Sequence, residues 1–304
     1  MTSIRGITFK LISVVLFVAM ASLIKVTSES VPPGEAVFFR SFFALPVIII
    51  WLMSRNKIAE GLKVKSLIGH LWRGFIGTAA MAFFFGGLGM LPFPEVTAIG
   101  YASPILTVVF AAIFLGEKVR LFRAGAVFFG FLGVLIILYP RLTIFSNASD
   151  ISTETFGAVL VLMGSVCMAL AHIFIRKLVR TEQPSAVVFY FSISSCAYSL
   201  FTIPFGWTIP NFEVTFLLIL AGLLGGIAQI FLTQAYVYAE ASVVAPFEYA
   251  SIIFAIIIGY FVFKEFPSIT VLIGAGIVIS AGIIIILRER HLGIKRGKAK
   301  LYLA

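Results

Sequence analysis

The chain has 304 residues and a formal net charge of +10, with 61% of positions hydrophobic and 12% charged. A soluble domain is nearer a quarter charged, so this composition describes an integral membrane protein and sets aside most soluble-enzyme classes. The two cysteines lie inside apolar runs and the three histidines are scattered, which gives no disulfide or metal pattern.

Ten apolar runs follow one another, near 7–26, 35–54, 67–90, 93–115, 121–139, 156–175, 186–205, 213–237, 241–263 and 268–287. Each has about the length a membrane-spanning helix needs. The first run follows Arg5 and ends at Lys25 with no small-x-small cleavage site, so it is expected to be an uncleaved span. Most breaks are short and carry turn residues: TSESVPPG, MLPFP and FGWTIPNF. Two connections are longer. One is the basic stretch Arg55 to Ser66. The other is the polar stretch Arg141 to Thr155 at mid-chain, where a domain boundary is expected.

The ninth run is the richest in chemistry. It reads EASVVAPFEYASIIFAIIIGYFVFKEFP from Glu240 to Pro267. Pro246 removes one backbone donor and frees a carbonyl. Glu248 lies about 10 Å in from the Glu240 end at ~1.5 Å per residue. An acid at that depth is costly and rarely faces lipid. Ser251, Ala255 and Gly259 follow at i, i+4 and i+8, a small-residue seam that lets a second helix approach closely.

Lys and Arg set the expected orientation. With the N-terminus inside, 17 of the 23 fall on the cytosolic side, including Lys63, Lys65, Arg176, Lys177 and Arg180. An even span number places both termini in the cytosol, at the inner (cytoplasmic) membrane. The positive charge is then an orientation signal that meets anionic headgroups, not a nucleic-acid surface. Trp51, Trp72 and Trp207 fall at expected interfaces.

The chain also matches itself. A shift of 151 brings Gly6, Lys25, Pro33, Val37 and Phe38 onto Gly157, Arg176, Pro184, Val188 and Phe189. A shift of 148 brings Gly74, Gly77, Tyr101, Ser103 and Glu117 onto Gly222, Gly225, Tyr249, Ser251 and Glu265. The seam repeats as Ser103, Thr107 and Ala111. The expected fold is all-α, with ten transmembrane helices as two inverted five-helix repeats, 7–139 and 156–287, and a basic cytosolic tail, 288–304. Five spans per copy turn the second copy over in the membrane. Inverted repeats place a site at the interface between halves near the midplane.

FFRSFFALPVI, PEVTAIGYASPILTVVFAAIFLGEKV and AGAVFFGFLGVLIIL, with SVVAPFEYASIIFAIIIGYFVFKE and LIGAGIVISAGIIIIL in the second half, resemble the EamA domain. The chain is thereby similar to ten-helix members of the drug/metabolite transporter superfamily over nearly all of its length. The resemblance implies transport of a small organic metabolite. The pattern around Arg40, HLWRG at His70 to Gly74 and EFP after Lys264 are similar to the S-adenosylmethionine uptake branch.

Glu248 is the first candidate for binding a substrate amine or a proton; the alternative is a buried carboxyl bonded for packing. Arg40 either clamps a carboxylate or phosphate in fork geometry or snorkels to the headgroups. Tyr101 and Tyr249 are candidate cavity walls. Gln229 and Gln234 face opposite ways on the eighth run, so one of them is expected at the cavity. His70 and Arg73 are read as interfacial anchors beside Trp72, and His172 likewise. Glu117 and Glu265 are read as caps for the helix that follows each. No catalytic residue, metal site or cofactor is expected, and no GxxxxGKS or GxxxxGKT loop is present.

The expected function is secondary active transport by alternating access of an amino-acid-like or other zwitterionic solute. The alternative is an uptake permease for S-adenosylmethionine or a similar nucleoside or vitamin metabolite. From another class, a non-transporting membrane scaffold remains. The partners are a small-molecule substrate and the lipid bilayer; the oligomeric state is open, and a monomer is compatible.

Overall fold

The structure, a computed structural model, describes residues 2–54, 58–117, 121–142, 153–281 and 283–284. The helices are α1 (Thr2–Thr27), α2 (Pro33–Phe42), α3 (Ala44–Met53), α4 (Ile58–Gly61), α5 (Leu67–Leu88), α6 (Phe93–Gly100) and α7 (Ala102–Leu115). Then come α8 (Leu121–Leu142), α9 (Thr153–Leu178), α10 (Pro184–Leu200), α11 (Phe212–Tyr238), α12 (Ala241–Val244), α13 (Ser251–Ile258) and α14 (Ile269–Ala281). No strand occurs among the described residues.

Among the described residues, seven stretches are long and apolar enough to span a bilayer: Ile4–Thr27, Pro33–Met53, Leu67–Leu88, Phe93–Leu115, Thr153–Leu178, Phe212–Tyr238 and Ala241–Phe263. The expected runs 121–139, 186–205 and 268–287 are not among them. α10 stops at Leu200 after 17 residues, about 25 Å at ~1.5 Å per residue, and a short 3₁₀ turn takes the chain on at Ile203–Phe205. Apolar segments Phe128–Ile137 and Ile269–Ala281 are shorter still. The expected tail 288–304, and Arg55, Lys57, Lys118 and Arg120 of the charge argument, lie outside the described residues.

Three spans are broken, each for a proline reason. Pro46 offers no N–H to the Phe42 carbonyl, and α2 gives way to α3 at Phe43. Pro104 does the same to Gly100, and α6 gives way to α7 at Tyr101. In the ninth run the single kink expected at Pro246 is a whole 3₁₀ segment, Ala245–Ala250, between α12 and α13. A π-helical turn, Gly259–Phe263, ends that run. Glu248 therefore sits on a tightened, irregular stretch. Such backbone is tolerated at membrane depth only where it is buried in protein or lines a cavity.

Packing crosses between the halves in matching pairs. α1 lies along α11, and α9 lies along α5. α2 packs on α10. α6 meets α13 and the π-turn, while α7 meets α12 and the 3₁₀ segment, so the fourth and ninth runs cross antiparallel. Polar groups tie the ends of this crossing. The Glu117 carboxylate accepts from the backbone N–H groups of Ala241 (3.2 Å) and Ser242 (3.1 Å). The Glu265 carboxylate accepts from the N–H of Phe93 at 2.6 Å and pairs with Lys25 at 2.9 Å. Both acids cap a helix start, but not that of the next helix in the chain: each caps its partner across the crossing. Lys25 Nζ also donates to the carbonyls of Leu91 (2.7 Å) and Leu88 (3.3 Å). Arg176 Nη1 donates to the carbonyl of Tyr236 at 2.5 Å.

Candidate functional site

A cavity of about 1130 Å3, its open mouth included, lies among α1, α2, α5, α6, α7, α9, α10, α11, α13 and the 3₁₀ segment. Its wall is largely apolar, with Phe17, Phe84, Phe85, Phe93 and Phe191 among the lining residues. Among the described residues, four charged side chains reach it: Lys10, Arg40, Arg73 and Glu248.

Lys10, on α1, is 1% exposed and donates to the carboxylate of Glu248. Glu248 is 29% exposed, so one face of its carboxylate stays open to the cavity. Arg40, on α2, is 1% exposed. Its Nη2 donates to the Gly225 carbonyl at 3.3 Å, while Nε and Nη1 have no partner among the described residues. Arg73, on α5, is 3% exposed, with Nε and Nη1 equally unpartnered. The two guanidinium groups lie over one ring: Cζ of Arg73 is 3.8 Å and Cζ of Arg40 5.4 Å from the centroid of Phe191, on α10.

Of the residues expected at the site, Glu248, Arg40, Tyr101 and Gln229 line the cavity. Gln229 Nε2 has no partner among the described residues; Gln234 is off the wall. Tyr101 donates to the Tyr249 carbonyl at 3.2 Å and shares a hydrogen bond with Ser251 Oγ at 3.1 Å. Tyr249 is not a wall residue: it is buried with its ring edge-on to Tyr101, centroids 5.1 Å apart. The expected seam divides. Ser103 and Ser251 line the cavity. Thr107 bonds the Ser103 carbonyl at 2.8 Å and reaches Nδ1 of His172 on α9 at 3.5 Å. Ala111 packs in a cluster with Val244 and Ile173, and Ala255 is fully buried. Gly259 faces Pro94, whose Cγ would stand 2.7 Å from an added Cβ.

Three readings change. Arg73 is a buried cavity residue, not a headgroup anchor, and His172 also lines the cavity. His70 is buried against Tyr190, ring centroids 5.2 Å apart. Only Trp72 of that group faces outward.

The EamA-like transporter family matches residues 4–139 and 155–288. This chain belongs to that family, within the drug/metabolite transporter superfamily. It is a multi-span membrane protein of a family of transporters, not enzymes, and membership implies a small-molecule substrate. The chain is 29% identical over 290 residues to the S-adenosylmethionine uptake transporter of Rickettsia conorii, covering 95% of each chain. It is 28% identical over 280 residues to the pseudopaline exporter of Pseudomonas aeruginosa, covering 91% of this chain and 94% of the relative. A solved crystal structure aligns over 94% of this chain and 98% of its own, with a TM-score of 0.69 and 18% identity, a likeness of fold.

Lys10 is the site residue that sequence reasoning missed. It stands near the start of an apolar run, where a lysine ordinarily reaches the headgroups. The signal was Glu248 itself: an intramembrane acid asks for a cation. In this EamA-like transporter Lys10, Arg40 and Arg73 are the three Lys or Arg side chains that line the cavity among the described residues.

Proposed function

We propose that this EamA-like transporter carries an amino-acid-derived zwitterion by alternating access, and that S-adenosylmethionine uptake is the favoured form of that activity. The observation that carries this reading is the presence of both charge signs in one apolar cavity, with two guanidinium groups that pair with no acid among the described residues. The similarity to the Rickettsia uptake transporters supports the substrate. S-adenosylmethionine offers a carboxylate to the arginines, an ammonium and a sulfonium to the open side of Glu248, and an adenine to the phenylalanine wall.

A second reading has one observation in its favour. Among the described residues the cavity holds three cations against one carboxylate, which opposes a ligand of net positive charge and suits a more anionic metabolite. On this reading the direction is taken from the Pseudomonas relative, whose name is that of an exporter.

The proposed architecture is ten spans in two inverted repeats, in the inner membrane with both termini cytosolic. The reciprocal caps of Glu117 and Glu265 support it, since both caps join positions related by the same shift of 148. Purified protein in liposomes, loaded on one side and given labelled S-adenosylmethionine or a panel of amino acids and polycarboxylates on the other, tests the proposal. Saturable S-adenosylmethionine uptake is expected. Transport of polycarboxylates alone selects the second reading, and transport of nothing leaves the scaffold alternative.

A further inference from the structure

We infer that Arg40, Arg73 and Phe191 form an oxyanion subsite of the cavity that takes the carboxylate of the transported metabolite. The inference deepens the proposed transport function and rests on it for the ligand's identity, though not for the ligand's charge.

Two buried cations share one ring and repel each other. Neither pairs with an acid among the described residues; Glu248 is taken by Lys10. Nε and Nη1 of both arginines have no acceptor among the described residues. Buried charge without a counter-ion is unfavourable, and the ring face of Phe191 offsets it only in part. A bound oxyanion relieves the repulsion and fills the empty donors, and a carboxylate matches the guanidinium fork.

The backbone is shaped for these two groups. A Cβ on Gly77 would stand 2.0 Å from Arg73 Nη1, and one on Gly225 would stand 2.9 Å from Arg40 Nε. Each glycine leaves the slot in which one guanidinium lies. Gly77 and Gly225 are also equivalent positions of the internal repeat, 148 apart. The arginines have no such equivalence: position 191, equivalent to Arg40, is Phe191 itself. A symmetric pair of slots thus receives two arginines from different helices of the first half, with the ring of the second half under both. Snorkelling does not explain the pair, because both tips end inside the protein.

The test uses the purified full-length protein, with affinity read by calorimetry and stability by thermal shift. The probes are S-adenosylmethionine, its decarboxylated form, citrate and inorganic phosphate, with chloride as control. The wild-type protein is expected to bind S-adenosylmethionine at least tenfold more tightly than the decarboxylated form. Arg40→Gln and Arg73→Gln are each expected to remove that preference by weakening S-adenosylmethionine, while the decarboxylated form, which has no carboxylate to lose and meets one cation fewer, binds at least as tightly as to wild type. Arg73→Lys, which keeps the charge and loses the fork, is expected to fall between. Without ligand, Arg73→Gln is expected to melt no lower than wild type, because an unpaired buried charge has gone; a purely structural arginine would melt lower. If S-adenosylmethionine does not bind at all, its uptake reading fails, and the subsite is judged on citrate and phosphate. Stabilisation by either, absent with chloride and lost in the variants, supports the oxyanion subsite; phosphate acting alone moves its ligand from carboxylate to phosphoryl. If the glutamine variants do not fold, Arg73→Lys and Arg40→Lys carry the comparison. A carboxylate preference that is absent from wild type or unchanged in the variants, with no oxyanion stabilising the protein, overturns the inference.

Discussion

Glu117 and Glu265 cap each other's helices. Glu117 ends the fourth run and holds the start of the ninth at Ala241; Glu265 ends the ninth and holds the start of the fourth at Phe93. The two ends are not identical: Glu117 accepts from two backbone N–H groups, while Glu265 accepts from one and also carries an ion pair to Lys25; Arg176, the counterpart of Lys25, binds the Tyr236 carbonyl.

The caps give a local prediction. A carboxylate at a helix start contributes about 0.3–1 kcal/mol, more when partly buried. Glu265→Gln is expected to raise amide exchange in peptides spanning Phe93 and leave Ala241 and Ser242 protected. Glu117→Gln is expected to do the reverse. Hydrogen exchange by mass spectrometry reads both, and exchange rising at both ends in either variant would show that the caps are not separate.

Much of this arrangement is legible in the sequence. The shift of 148 that aligns Glu117 with Glu265 also aligns Ala241 with Phe93, so the partners of both caps were present in the repeat before any contact was known. Local reasoning assigned each acid to the next helix, because sequence shows neighbours along the chain and not across a crossing. Glu248, Arg40, Tyr101 and Gln229 were legible because polar groups deep in apolar runs stand out. Lys10, Arg73 and His172 were not. Lys10 and His172 lie within a turn of a run's end, where headgroup contact is the ordinary outcome; Arg73 is as deep as Arg40 by count, but it follows His70 and Trp72, which ordinarily mark that interface. Depth can be counted from a sequence, but the face a side chain presents depends on which helices surround it.

Gly259 gives a packing prediction. An added Cβ would lie 2.7 Å from Pro94 Cγ and 3.0 Å from Cδ, and a proline ring has little room to turn aside. Gly259→Ala is expected to lower the melting temperature, and Gly259→Leu to destabilise by about 1–3 kcal/mol or hold one conformation. Wild-type melting and transport in the leucine variant would mean that this contact is not close in the membrane.

Topology is open to a direct test. On the proposed ten-span arrangement, a reporter fused after Gly61 follows two spans and one fused after Ser149, which lies outside the described residues, follows five. Cytosolic activity is expected from the first and activity in the opposite compartment from the second. Both reporters on one side would remove the span count and the inverted relation with it.

Lys10 on α1 and Glu248 on the 3₁₀ segment form an ion pair. The partners are not equally exposed: Lys10 is sealed at 1%, while Glu248 is 29% exposed toward the cavity. Removing one member of a buried pair leaves the other's charge uncompensated, so the two single variants should differ. Glu248→Gln strands a sealed ammonium and is expected to be destabilised by about 1–3 kcal/mol. Lys10→Met leaves a carboxylate that water in the cavity can reach, and a smaller loss is expected. The double variant strands nothing and should melt near wild type, giving a coupling energy of about 0.5–3 kcal/mol. Transport should not follow stability. If Glu248 binds the substrate's cationic group, the double variant is stable and transports poorly at every pH. If it carries a coupling proton, exchange of labelled substrate survives while pH-driven accumulation disappears. Melting curves, exchange and accumulation on the three purified variants separate these outcomes, and normal transport by the stable double variant would leave the pair a packing device only.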